Sequence, residues 1–174
     1  MWIIGGIIVL AIIWSISTIN GFKRREIKIE EALSGIEVAL TKRYDMLTKL
    51  LDTAKGFMQH ESDLFSRVIS LRRGMSVGEM GKADREMSEL TGRLFAVAEN
   101  YPERRSSEVF LELQRGVRDA EEHLQAARRL YNANVSSYNI AIAMFPAKLL
   151  AGGHSPKEFY DADDEKRDDV KMRF

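Results

Sequence analysis

The first 22 residues carry no charged side chain, and this feature constrains the fold more than any other. Residues 2–14 are almost wholly apolar, and the first charge is Lys23. About 20 apolar residues, each rising about 1.5 Å along a helix, span a hydrocarbon core of about 30 Å. The pattern predicts a transmembrane anchor over residues 1–22, with the lipid bilayer as a partner.

The charges that follow this stretch predict its orientation. Four basic residues cluster directly after it: Lys23, Arg24, Arg25 and Lys28. Positive charge favours the cytoplasmic side, so we expect the N-terminus outside and the bulk of the chain in the cytoplasm. The same residues are candidates for holding anionic lipid headgroups, although such charges flank most membrane spans. A cleaved signal peptide is the rival interpretation of residues 1–22, since Ser15 and Ser17 have cleavage-site spacing, but the basic n-region is missing.

The composition excludes several functional classes for this chain. The 174 residues include 26 Lys and Arg and 26 Asp and Glu, so the basic excess typical of a nucleic-acid binder is missing. The chain has no cysteine, which excludes disulfides, thiolate nucleophiles and cysteine-ligated zinc. The first proline is residue 102, which favours long helices before it.

Apolar residues spaced by three and four predict three helices. The first runs from Ile29 to about Arg73 without a proline after the anchor, the second from about Asp84 to Asn100, and the third from a cap at Ser106 or Ser107 to Phe145. The glycine-rich residues 74–81 predict a connection. We therefore predict an all-α fold, in which an N-terminal transmembrane helix continues into a long antiparallel three- to four-helix bundle with coiled-coil-like stripes. The predicted domains are an anchor (1–22), a helical bundle (23–150) and an acidic C-terminal tail (151–174).

A Tyr-Asn repeat marks the third helix. Tyr-Asn occurs at 131–132 and at 138–139, and Phe145 follows seven residues later. Seven residues are two helical turns, so the aromatic residues are predicted on one stripe, with a proline ending the helix. Asn134 is a polar residue on this apolar stripe, and a polar residue in such a position often fixes the register between packed helices. Two interpretations stay open, internal packing and recognition of a partner, and the candidate interaction surface is Tyr131, Asn132, Asn134, Tyr138, Asn139, Phe145 and Pro146.

Three segments resemble motifs for catalysis or metal binding, but each lacks at least one essential residue of its motif. His60-Glu61 lacks the second histidine of a zinc protease, because Leu64 stands in its place. Residues 74–81 lack the lysine and hydroxyl residue of a P-loop. The acid-rich residues 158–169 do not fit a calcium loop, because Lys166 occupies the required glycine position and Met172 occupies the position of the final glutamate. We predict no catalytic residue, cofactor or metal site, and a solvated acidic tail.

Several segments together resemble the LemA family of bacterial membrane proteins. They are residues 41–47, 54–61, 98–102, 113–114 and 127–146, of which the Tyr-Asn cluster is the most specific. The resemblance implies a short outside N-terminus, one span of the bacterial inner membrane, a long-helix bundle, and no assigned enzymatic activity. The chain departs from the family pattern at residues 48–50, 120–122 and 152–154.

The predicted helix lengths suggest a function. A short second helix cannot cover the apolar stripes of two much longer neighbours, and exposed apolar strips mark interfaces. We expect a membrane-anchored scaffold or adaptor that self-associates into a homo-oligomer and performs no catalysis. The alternative is a membrane-tethered sensor or binding module that engages another membrane protein or a ligand.

Overall fold

The computed structural model describes residues 2–54, 77–102 and 107–160, and all regular structure within these ranges is helical. Helix α1 spans Trp2–Ala54, α2 spans Val77–Ala98 and α3 spans Glu108–Ala143. A short 3-10 helix, Ala147–Leu150, follows α3, and residues 151–160 contain no helix. The predicted all-α class is confirmed.

Helix α1 continues without a break from the apolar stretch into the packed part of the chain. Its 53 residues correspond to a length of about 80 Å. Residues 2–14 are all exposed, whereas from Phe22 onwards buried side chains recur at helical spacing, beginning with Ile29, Ala32 and Ile36. The predicted continuation of the anchor into a bundle helix is thus confirmed as far as Ala54.

The chain forms two compact units. One comprises Met1–Ser34 with Arg128–Phe159, and we call it the anchor unit. The other comprises Gly35–Ala127 with Tyr160–Phe174, and we call it the three-helix unit.

In the anchor unit, residues 21–34 of α1 pack antiparallel to residues 128–143 of α3. The Asn134 side chain on α3 donates a hydrogen bond to the Lys28 carbonyl oxygen on α1, at 3.0 Å. The core of this unit is apolar and aromatic; its larger buried residues are Phe22, Ile29, Tyr131, Val135, Tyr138 and Ile142.

In the three-helix unit, parts of α1, α2 and α3 enclose a leucine-rich core. Its most deeply buried large side chains are Ile36, Leu47, Leu50, Leu90, Leu94, Phe110 and Leu124. Gly116 lets α1 approach α3 closely, because a Cβ atom there would lie 2.9 Å from the Sδ atom of Met46. Near the end of α2 and the start of α3, the rings of Phe95 and Phe110 meet edge to face with centroids 6.4 Å apart.

Three helix boundaries differ from the predictions, and one of them is the end of α2, which lies at Ala98 rather than at Asn100. Helix α2 begins at Val77 rather than near Asp84, so the predicted connection at 74–81 is wrong for its last residues. Each internal glycine costs about 1 kcal/mol, but the burial of Met80, Ala83 and Met87 at helical spacing offsets that cost. Helix α3 ends at Ala143, two residues before the predicted end.

The start of α3 follows the sequence prediction. The Phe110 amide donates to the Ser107 hydroxyl oxygen at 3.4 Å, which is the interaction of an N-cap serine. Glu108 occupies the first turn, where a negative charge is favourable. Other predictions fall on residues outside the described ranges: the first helix beyond Ala54, His60-Glu61, Ser106 and the acidic residues 161–169.

Candidate interaction site

Both tyrosines of the repeat lie on the buried face of α3 in the anchor unit. Tyr131 and Tyr138 are buried together with Val135 and Ile142, a spacing of four, three and four residues. Phe145 does not continue this stripe and is 78% exposed, because α3 ends at Ala143. The prediction that three aromatic residues share one stripe is therefore wrong for Phe145. Pro146 is also exposed and directly precedes the 3-10 helix.

The repeat holds a non-helical segment, residues 151–159, which we call the strap. The Tyr131 hydroxyl donates to the Glu158 carbonyl oxygen at 3.1 Å, and the Tyr138 hydroxyl lies 3.1 Å from Nδ1 of His154. Asn139 bonds the backbone of Lys157 twice: its Nδ2 donates to the carbonyl oxygen at 2.9 Å, and its Oδ1 accepts from the amide at 2.8 Å. The side chains of the repeat therefore bond a segment that lies up to 27 residues further along the chain.

The strap also contacts α1. The His154 ring meets the ring of Phe22 edge to face at a centroid distance of 5.1 Å, and the Lys157 ammonium lies 3.2 Å from the Glu26 carboxylate. Burial raises the pKa of both Tyr131 and Tyr138, so both hydroxyls stay protonated at neutral pH. The strap thus rests on both helices of the anchor unit.

The strap belongs to the segment 151–174 that is predicted as the acidic C-terminal tail. Ala151 is buried, and the strap is hydrogen-bonded to α3 at Lys157. The acidic residues 161–169, which make up most of the part predicted to be solvated, lie outside the described residues. The remaining two asparagines lie at the edge of the same face. Asn134 bonds the backbone of α1 at Lys28, and Asn132 is half-buried.

The basic cluster divides into paired and unpaired residues. The Lys23 ammonium lies 3.0 Å from the carboxylate of Glu26. The hydrogen bond from Lys23, supported by one from Lys157, lowers the pKa of that carboxyl group. Arg25 donates to the Gly21 carbonyl oxygen at 3.0 Å. Within residues 2–54, 77–102 and 107–160, the side chains of Arg24 and Lys28 have no ion-pair partner.

Sequence reasoning missed a buried ionic cluster in the three-helix unit. Arg43 on α1 is only 4% exposed and its guanidinium pairs with the Asp84 carboxylate on α2. It also donates to the Ser88 hydroxyl at 2.8 Å and lies 2.7 Å from the Glu121 carboxylate on α3. Burial lowers the pKa of Arg43, against the opposing effect of Glu121.

The signal for this cluster was present in the sequence. Buried residues of α1 step through Ile36, Leu40, Leu47 and Leu50, and Arg43 occupies the place between Leu40 and Leu47 at the same spacing. A single charge on an otherwise apolar stripe indicates a buried and paired charge.

A comparison with known protein families places this chain among its relatives. The model of the LemA family matches residues 32–174. The chain belongs to the LemA family. The protein LemA of Metamycoplasma hominis is 25% identical over 137 residues, which cover 76% of this chain and 63% of that relative.

The chain is also similar, over a shorter stretch of sequence, to magnetosome proteins. The magnetosome protein MamQ of Magnetospirillum gryphiswaldense is 32% identical over 69 residues, which are 40% of this chain and 25% of MamQ. The magnetosome protein MamQ 2 of Paramagnetospirillum magneticum is 35% identical over the same length. This chain therefore spans less than two thirds of the length of the curated relatives that it matches.

The anchor of this LemA-family chain fits a membrane. One helix among the described residues, Trp2–Ala54, is long and apolar enough to cross a bilayer, and the apolar window within it is not buried in the protein. Together with the family, this apolar helix indicates a membrane-anchored protein.

The strap contacts give a first prediction. Replacing Asn139 with alanine removes both hydrogen bonds to Lys157 and should lower the free energy of strap opening by about 1–3 kcal/mol. Hydrogen exchange at the Lys157 amide measures this directly, and we expect exchange at least about fivefold faster. Asn139→Asp keeps the acceptor for that amide and should lose less. Unchanged exchange in Asn139→Ala would show that the strap is held without this residue.

Proposed function

We propose that this LemA-family protein is a membrane-anchored helical scaffold that assembles with copies of itself and performs no catalysis. The observation that carries the proposal is a second apolar stripe on α3, facing away from the buried one by roughly 150°. It consists of the apolar residues Leu130, Ala133, Ile140 and, just past the helix end, Met144, with the small polar residue Ser137 among them. All five residues are exposed, and contiguous exposed apolar residues mark interfaces.

A second copy of the chain is the partner that fits this stripe. Anchors in one bilayer hold all copies in the same orientation, so the stripe lies at the same distance from the membrane in each copy. A two-fold axis along the membrane normal then brings the stripe of one copy against the stripe of the next. Ala133 and Ser137, near the middle of the stripe, are small and permit close approach of two helices.

The proposed location is the inner membrane of a bacterium, with a single span. The basic residues from Lys23 to Lys28 favour a cytoplasmic bundle and an N-terminus outside. The lipid bilayer and further copies of the chain are the proposed partners.

A sensor or binding module that engages another membrane protein or a ligand is the second candidate. Exposed apolar side chains beyond the end of α3 favour it: Phe145 is 78% exposed and Leu149 is 72% exposed. Under this proposal the exposed residues contact a different membrane protein instead of a second copy.

Cysteine cross-linking separates the two candidates. The natural chain has no cysteine, so Leu130→Cys and Ile140→Cys each introduce a single thiol on the stripe. Mild oxidation in native membranes should give disulfide-linked dimers of both variants. The matched control is Glu31→Cys, an exposed position on α1, which should stay monomeric.

The mass of the full-length protein in nanodiscs completes the test. A discrete oligomer together with stripe-specific disulfides supports the scaffold. A monomeric mass without cross-links overturns it, and cross-links from Leu130→Cys to a different protein favour the second candidate.

A further inference from the structure

A cationic pocket lies between α1 and α3 in the anchor unit. Its volume is about 260 Å³, and it is lined by Gly21, Arg24, Arg25, Lys28, Asn134 and Ser137. Gly21 makes room for one of the cations, because a Cβ atom there would lie 3.2 Å from Nη1 of Arg25. The pocket thus combines three basic side chains with an amide and a hydroxyl.

Among the described residues, no carboxylate neutralises the charges of this pocket. Its lining contains no carboxylate. Glu26, an acid one residue away in the sequence, is bonded instead to Lys23 and Lys157. Across the described ranges, Arg24 and Lys28 have no ion-pair partner, and Arg25 uses one of its five N–H donors on the Gly21 carbonyl oxygen. Such a group of free cationic donors is suited to an anion, and to phosphate above all.

An apolar groove adjoins the pocket. A second depression of about 370 Å³ is lined by Ile13, Ile16, Ser17, Asn20 and Arg24. Arg24 is common to both depressions, so the groove leads from the cationic pocket along the apolar part of α1. This combination distinguishes a lipid from a soluble anion, since a free phosphate has no apolar part to occupy the groove.

We propose that the cationic pocket binds the phosphate group of an anionic phospholipid, with an acyl chain of the same lipid along the adjoining groove. Arg24 and Lys28 hold the charged oxygens, and Arg25, Asn134 and Ser137 supply further polar contacts around the headgroup. The site lies directly after the charge-free residues 1–22, which is the depth of lipid headgroups if α1 spans the membrane. The inference therefore rests on the membrane anchoring of the proposed function, and it does not require self-association.

Native mass spectrometry of the full-length protein in mild detergent tests the proposal. Phosphatidylglycerol and phosphatidylcholine with identical acyl chains are titrated separately, and bound lipids are counted. We expect phosphatidylglycerol to bind at least about tenfold more tightly, and the double variant Arg24→Gln, Lys28→Gln to weaken its binding by about ten- to thirtyfold. The matched control, Lys23→Gln with Arg129→Gln, removes two positive charges from the same unit outside the pocket, leaves Lys157 paired with Glu26 and should retain binding.

Each outcome decides for or against the site. Equal binding of the two lipids, or equal losses in the two double variants, overturns the proposal in favour of general juxtamembrane charge. Binding of inorganic phosphate as tight as that of phosphatidylglycerol would assign the pocket to a soluble anion and also overturns it. Helical circular dichroism and oligomer mass, recorded for the same variants, should not change. A lost oligomer with retained lipid selectivity would contradict the scaffold and leave the lipid site intact.

Discussion

Replacing Arg43 with leucine should lower the free energy of unfolding of the three-helix unit by about 3–5 kcal/mol. The guanidinium is the shared partner of Asp84 on α2 and Glu121 on α3. Asp84 is 3% exposed, so removal of the cation leaves a buried carboxylate that has lost its ion pair with Arg43. Glu121 is partly exposed and can turn towards water. Denaturant titration of the detergent-solubilised protein, followed by circular dichroism, measures the loss.

Two variants control for this prediction. Lys42→Leu removes the adjacent positive charge, whose partner Asp119 lies 2.5 Å away at an exposed position, and the unfolding midpoint should hardly move. The double variant Arg43→Leu, Asp84→Leu removes both buried charges and should recover most of the lost stability. If Arg43→Leu unfolds at the natural midpoint, the cluster does not hold the three helices together.

Replacing Tyr138 with alanine should destabilise the anchor unit by about 3–5 kcal/mol. Tyr138 is 1% exposed and is the largest of the fully buried side chains among the described residues. Its loss opens a cavity beneath the strap and removes the partner of His154. Because His154 also packs on Phe22, we expect the strap to detach from both α1 and α3, which limited proteolysis between residues 151 and 159 would detect.

The contributions of the ring and of the hydroxyl of Tyr138 to stability can be measured separately. Tyr138→Phe keeps the ring and loses only the hydrogen bond, so it should cost about 0.5–1.5 kcal/mol and leave the strap protected from protease. Ile140→Ala is the matched control, because Ile140 is a large residue on the exposed face of the same helix and is 53% exposed. Equal proteolysis of Tyr138→Ala and Ile140→Ala would refute a specific role of the buried ring.

The lipid pocket and the exposed stripe of α3 share Ser137. For this reason Ser137 is unsuited to separate lipid binding from self-association. Arg24 and Lys28 alter only the pocket, and Leu130 and Ile140 alter only the stripe, so these two pairs of positions test the two proposals independently.

The sequence alone determined the helical class and the continuity of α1 with the apolar stretch, and it limited the N-cap of α3 to Ser106 or Ser107. Each of these depends on neighbours within a few residues: a charge-free run, spacing by three and four, and a serine beside the first turn. The family resemblance likewise rested on local segments, and it is confirmed. Helix ends were less accurate, because burial of Met80, Ala83 and Met87 extends α2 through glycines that local propensity disfavours.

Only the tertiary structure decided which side chains act together. Arg43 meets Asp84, which is 41 residues away in the chain, and Asn139 meets Lys157 at a separation of 18. Helical periodicity places a residue on a face but does not say which distant segment covers that face. The Tyr-Asn repeat was therefore recognised in the sequence, while the strap that it holds became visible only after folding brought residues 151–159 onto α3.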